Sequence, residues 1–130
     1  MIGSEAFNYI NVLDKAADAS YTREEIISNN IANATTPGYK RQDIDFASTL
    51  KRELGKSKYT ALDQKVSDVH LDHLNPHTYY DHESYSYRLD GNNVDLATEN
   101  VELASEQLRY SGITNAISSN FSNLKAAMET

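Results

Sequence analysis

From residue 4 to residue 34, apolar or small residues recur at Ile10, Leu13, Ala17, Ser20, Ile27, Ile31 and Ala34, broken by Glu24. Steps of three and four are the stripe of an amphipathic helix, and thirty residues of helix would run about 45 Å. No Pro or Gly interrupts the pattern after Gly3, and Ala16, Ala17, Ala19 and Ser20 keep it narrow enough for another helix to approach closely. A break near residue 22 is the alternative, with Thr22 capping a second helix and Glu25 closing a capping box. The continuous helix is the expectation. In the last third, Val101, Ala104, Leu108 and Ser111 line one stripe, which drifts after Gly112 to Ile113, Ile117, Phe121, Leu124 and Met128. This predicts a second long helix over about 93–127. Asn93 or Asp95 suits its N-cap, and Asp95, Glu99 and Glu102 complement its dipole.

Between these segments the period is lost. Thr36-Pro37-Gly38 reads as a turn with Pro second and Gly third, and Asp90-Gly91-Asn92-Asn93 as another. Phe46, Ala47, Leu50 and Leu54 predict a short helix over 43–54, stopped by Gly55. Residues 56–64 read as solvated linker, and 66–74 fit either strand or helix. Tyr85, Tyr87 and Leu89 alternate with polar residues and predict a short strand. The expected fold is therefore mainly α, an elongated coiled-coil-like pairing of long N- and C-terminal helices with a small irregular or β middle section. The chain 1–130 is expected to form a single discontinuous domain. Residues 4–34 and 92–128 would make its helical axial core, and 40–91 a variable projection.

Composition sharpens this picture. The 130 residues are 39% hydrophobic, with no Trp, three Phe and nine Tyr, so a core made by this chain alone is thin. Stripes this long cannot all be buried within so small a chain, and the remainder implies burial against other subunits. A net charge of −7 disfavours a nucleic-acid partner. The acids are concentrated at the ends: Glu5, Asp14, Asp18, Glu24 and Glu25 face only Lys15 and Arg23 near the start. Asp95, Glu99, Glu102, Glu106 and Glu129 face only Arg109 and Lys125 near the finish. Pairing of the two ends would thus need apolar contact to outweigh repulsion, which salt screens beyond roughly 8 Å. There is no Cys. No cleavable leader is expected from Met1-Ile2-Gly3-Ser4-Glu5-Ala6, and no membrane span from runs this short.

No residues suggest an enzyme. There is no glycine-rich phosphate loop and no nucleophile elbow, and pairs such as Glu24-Glu25 and Glu102 with Glu106 read as solvated helix faces. His70, His73, His77 and His82 lie close in sequence, but Asn75-Pro76 breaks any helix that would align them. They read as surface loop residues; no metal and no cofactor is expected. Asn29, Asn30 and Asn33 are different. Asn weakens a helix by competing for its backbone, and a C-terminal cap explains one or two of them but not three. Tyr39 and Phe46 read as packing residues, and Glu106 with Arg109 as a helix-stabilising pair.

Two stretches carry a resemblance: ISNNIANATTPGYKRQDIDF at 27–46 and DGNNVDLATENVELASEQLRY at 90–110. The first resembles the signature of bacterial flagellar rod, hook and hook-associated axial proteins. The second narrows the likeness to the FlgB family of basal-body rod proteins, with the FlgC-like rod subunits as the neighbouring alternative. A cytosolic coiled-coil adaptor or export chaperone is the alternative outside the family. The resemblance implies a structural subunit of the proximal rod, located in the flagellar basal body and exported by the flagellar type III system without signal cleavage. Its implied partners are copies of itself, other rod subunits and the export/MS-ring base. The implied assembly residues are Asn29, Asn30, Asn33, Thr36, Pro37, Gly38, Tyr39 and Phe46 in the first motif. In and beyond the second they are Gly91, Asn92, Asn93, Asp95, Val101, Leu108, Tyr110, Ile117 and Leu124. The three N-terminal asparagines would bond across subunits, and Val101, Leu108, Ile117 and Leu124 would form an apolar seam.

Overall fold

A computed structural model describes residues 2–82 and 88–129. Two helices dominate it: α1 (Ile2–Ala32) and α4 (Leu96–Met128). They run antiparallel. Asn30 meets Glu99, Arg23 meets Glu102 and Glu106, and the Tyr21 and Tyr110 rings lie 6.2 Å apart. Toward the other end Ala17 and Thr114 line the same surface depression. The first helix is unbroken, because Thr22 does not cap anything. Its hydroxyl donates to the Asp18 carbonyl one turn back at 2.9 Å, a bond available inside a helix. Asp95 caps α4 by accepting from the Ala97 and Thr98 amides.

The intervening chain packs along α1. It forms β1 (Gln42–Asp43), α2 (Phe46–Gly55), α3 (Leu62–Asp68), a 3-10 turn (Leu71–His73) and β2 (Tyr79–Tyr80). The strands pair antiparallel, Gln42 opposite Tyr80 and Asp43 opposite Tyr79. α2 starts later than expected because residues 42–43 are taken by the strand and Asp45, accepting from the Ser48 amide at 3.0 Å, sets its first turn. Part of the supposed linker is helical: α3 sits over α1, with Val66 buried and Tyr9 donating to the Asp63 carboxylate. Lys15 reaches Asn75 and Leu74 is buried below it. The expected strand at Tyr85 and Tyr87 lies outside the described residues; Leu89 belongs to the exposed turn before Gly91. No helix is long and apolar enough to cross a membrane among the described residues.

The core is small. Ala19, Ile26 and Ile44 cluster with Phe46 packed against them, and Ile27 and Leu74 are fully enclosed. Each such side chain contributes about 1.5–3 kcal/mol. α4 does not turn the stripe of Val101, Ala104, Leu108 and Ser111 toward α1. Val101 is 65% exposed and Leu108 75%. The face it presents there holds Glu99, Glu106, Ile113 and Ile117, at the same helical spacing but rotated about half a turn around the axis. The expectation that the acidic ends pair only through apolar contact is corrected here. In this half of α4 charges face α1, and they are matched.

Candidate assembly site

The two sequence motifs close on each other at the end of the helix pair where α1 stops and α4 starts. After α1, Pro37 and Gly38 turn the chain, Gly38 at φ 72°. Gly91, at φ 75°, turns the returning chain beside it, and a Cβ on Gly91 would lie 3.9 Å from the Gly38 Cα. Left-handed φ at both positions favours glycine. The Gly38 amide donates to the Asp90 carbonyl at 2.6 Å, the Asn93 amide to the Tyr39 carbonyl at 3.3 Å, and Lys40 Nζ to the Gly91 carbonyl.

Asparagines lock this crossing. Asn92, fully buried, donates from Nδ2 to the Asn33 and Thr36 carbonyls at 2.8 and 2.9 Å and accepts from the Val94 amide at 2.8 Å. It thereby adds a second donor to two carbonyls of the turn after α1, which also accept from the Thr36 and Tyr39 amides at 3.0 and 3.2 Å. Asn93 accepts from the Arg41 amide at 2.8 Å and donates to the Asp81 carbonyl at 2.7 Å. Asn30 bonds in all four directions. Its Nδ2 donates to the Gln42 carbonyl and to Glu99, while its Oδ1 accepts from the Gln42 amide and the Tyr39 hydroxyl. An amide has two donors and two lone pairs, so Asn30 has nothing left for a neighbouring subunit. The reading of Asn30 as an intersubunit contact is therefore corrected: it presents itself to β1 as another strand would. Asn33 is engaged locally, with Asn29's carbonyl and the Thr36 hydroxyl, and the Asn29 side chain is exposed.

An ion network continues from this clasp along the helix pair. Arg23 of α1 spans Asp43 at 2.8 Å, Glu106 at 2.9 Å and Glu102 at 3.0 Å. Arg41 spans Glu99 and Asp81, each at 2.5 Å, and Asp43 at 3.2 Å. Glu99 is 1% exposed and Glu106 2%, so Glu106 is no solvated face; Arg109 also reaches it at 3.3 Å. Burial pushes the Asp43 carboxyl up, but the hydrogen bond and charge of Arg23 more than reverse this and hold it below the usual carboxylate range. The Arg23 guanidinium is held further above its usual range, first by its bond to Asp43. Burial works against the Arg41 charge, and Glu99 and Asp81 outweigh it. Tyr39 is pushed up by burial and then by the nearby Glu99 charge.

The remaining expected assembly residues divide by place. Thr36, Pro37, Gly38 and Asp95 lie on the outside of the clasp, and Gly91 is half-buried within it. Phe46 packs on the core and Tyr110 beside Tyr21. Ile117 is half-buried beside Asp14 and Ala17 of α1 and Leu124 is also half-buried, so of the expected seam only Val101 and Leu108 are exposed. The four histidines are exposed. His73 approaches Glu53 at 3.1 Å, the His70 and His73 rings lie 5.3 Å apart, and His82 stacks on Tyr80. Among the described residues no group of His, Cys, Asp or Glu is arranged to hold a metal. Sequence reasoning missed Arg23, Arg41, Asp43, Asp81 and Glu99. The available signal was the spacing of Glu99, Glu102 and Glu106, an acidic stripe lying on a helix opposite two isolated arginines.

Comparison with known proteins agrees with this arrangement of motifs. Residues 10–40 match the family described as "Flagella basal body rod protein". The flagellar basal body rod protein FlgB of Bacillus subtilis (strain 168) is 30% identical over 122 residues, covering 92% of each chain. That of Escherichia coli (strain K12) is 31% identical over 119 residues, covering 83% of each. That of Borreliella burgdorferi is 33% identical over 121 residues, covering 86% of this chain and 89% of the other. The clasp-forming stretches lie within a likeness that runs nearly end to end, and the chain belongs to the FlgB family of flagellar basal body rod proteins.

Proposed function

We propose that this chain is a structural subunit of the bacterial flagellar basal-body rod. The observation that carries the reading is the contrast on α4. Its acids Glu99, Glu102 and Glu106 are paired with the arginines, while Val101 and Leu108 stand exposed on the opposite face, with Phe7, Phe121 and Met128 exposed toward the far end of the helix pair. Apolar surface of this kind on a small acidic chain is explained by burial against neighbouring subunits. Within that reading the chain belongs to the proximal rod, leaves the cell through the flagellar type III system, and contacts copies of itself, other rod subunits and the export/MS-ring base. Folding is completed by polymerisation: ordering the helix ends costs roughly 1–2 kcal/mol per residue, which intersubunit burial offsets. Its role is scaffolding; no catalytic step is assigned to it.

The test is a clean deletion in the native host, with basal bodies imaged by electron cryotomography and swimming scored. Loss of the rod above an intact export ring, restored by the wild-type gene, is the expected result. A complete rod in the deletion strain overturns the reading.

A further inference from the structure

The molecule carries a ridge and a groove on different faces. The groove, of about 610 Å3, runs between α1, α2 and α4. Its floor is Ala16, Ala19 and Ser20 of α1, and Phe46 and Leu50 of α2 with Ile113 of α4 form its walls. Small residues make the floor deep, and the long apolar side chains make the sides steep. Asp45, Glu102 and Arg109 also line the groove, with Arg23 and Glu106, and Arg23 is bonded to both Glu102 and Glu106 within the chain. The ridge is the face of α4 turned away from α1, where Val101 and Leu108 project among Ala97, Ala104, Ser105, Ser111, Gly112 and Asn115. That face carries no formal charge. Its helix's acids Glu99 and Glu106 are committed to Arg41 and Arg23.

We infer that a second copy of this chain seats its Val101–Leu108 ridge in this groove. The inference rests on the rod reading and adds to it the two surfaces that meet. Two arguments on the molecule select this occupant. The chain has a net charge of −7, so an acidic face of one copy is repelled by another, whereas the uncharged ridge brings no acid to the groove's Asp45, Glu102 and Glu106. Glycine, alanine and serine beside the two apolar side chains let the ridge helix lie close to the small-residue floor, so that Leu108 enters between Phe46 and Ile113. Because ridge and groove are different surfaces, the contact is heterologous: each copy offers its ridge to the next and its groove to the previous one, which builds an open helical array.

The absence of Cys makes the test clean. The double variant Ala47→Cys/Leu108→Cys, expressed in the native host in place of the wild type, is oxidised in isolated basal bodies and run on a non-reducing gel. Ala47 is exposed at the groove wall and Leu108 on the ridge, so neither change disturbs the core. The expected result is multimers of this chain from the double variant, dimers from mixed single variants, and monomer from either single variant alone. The pair Leu50→Cys/Val101→Cys serves as an independent second probe and gives the same pattern. Cross-linking of Leu108→Cys with itself overturns the inference, since ridge would then meet ridge. So does the absence of any cross-link between copies, at both pairs, in cells that swim. That last outcome leaves the rod reading intact, whereas a complete rod in the deletion strain removes it.

Discussion

The two ends of the helix pair are built from opposite materials. Where α1 ends and α4 begins, asparagines, glycines and an arginine–carboxylate network are buried and bonded to one another within the chain. Where α1 begins and α4 ends, buried Ile10 and half-buried Ile117 and Leu124 supply the apolar surface, and Phe7, Phe121 and Met128 stay largely exposed. The polar end fixes register, because directional bonds are satisfied in one arrangement only. The apolar end fixes little, since dispersion and burial reward many arrangements that keep water out. The clasp thus sets where the helices meet, and the far end is left adaptable for contacts outside the chain.

The largest effect should come from breaking the network at its centre. Arg23→Ala leaves Glu106 and Asp43 enclosed without their main cation, and removing one partner of a buried pair costs about 3–5 kcal/mol. Urea unfolding followed by circular dichroism measures it. A loss below about 1 kcal/mol, the usual value of a surface pair, would mean that the network is solvated and that apolar packing sets the register. Asn92→Ala should cost about 1–3 kcal/mol, because the buried Val94 amide loses its acceptor and the Asn33 and Thr36 carbonyls each lose one of two donors. The same substitution at Asn29, which is exposed, should cost under about 0.5 kcal/mol; equal losses at both would contradict the assignment of Asn92 as the lock.

Acid separates the ends by a different route. The Asp43 carboxyl is depressed in the folded chain, so the folded state binds its proton less readily than the unfolded one. Its stabilising contribution is present above the unfolded value of about 3.9 and is lost as pH falls through the lower folded value. In Asp43→Asn, the fall in stability below about pH 4 should be shallower than in the wild type; parallel curves would show that Asp43 is not coupled to folding. The smallest effect on the isolated chain belongs to Leu108→Asp, under about 0.5 kcal/mol at an exposed position, yet this variant should be expressed normally and fail to assemble a rod. Normal swimming would remove Leu108 from the interface.

The sequence showed what is periodic or local. Both long helices, the Pro37-Gly38 and Asp90-Gly91 turns and the Asp95 cap could be read because each is fixed by spacing or by neighbouring residues. The network could not be read so directly. Glu99, Glu102 and Glu106 recur at helical spacing whether they face water or an arginine, and only the fold brings Arg23 and Arg41 opposite them. α3 was hidden for a related reason: Val66 is its one buried apolar residue, so no stripe marks it. Two-residue strands leave no alternation to detect, and β1 is held as much by the Asn30 side chain as by β2. The two motifs were visible as unusual, but that they bond to each other depends on a contact spanning more than fifty residues.

The Gly38–Asp90 and Tyr39–Asn93 backbone bonds bring the chain back to the point it left. The excursion between them leaves and returns at one doorway and is tied to α1 again at Asp43, Asp63 and Asn75, so length added between those ties need not reach the helices. Doubling a flexible loop costs only about 0.6 kcal/mol in closure entropy. A guest sequence spliced into that excursion away from the Asp63 and Asn75 ties would therefore be displayed beside the helix pair without altering its register. The doorway makes this small subunit a natural mount for cargo.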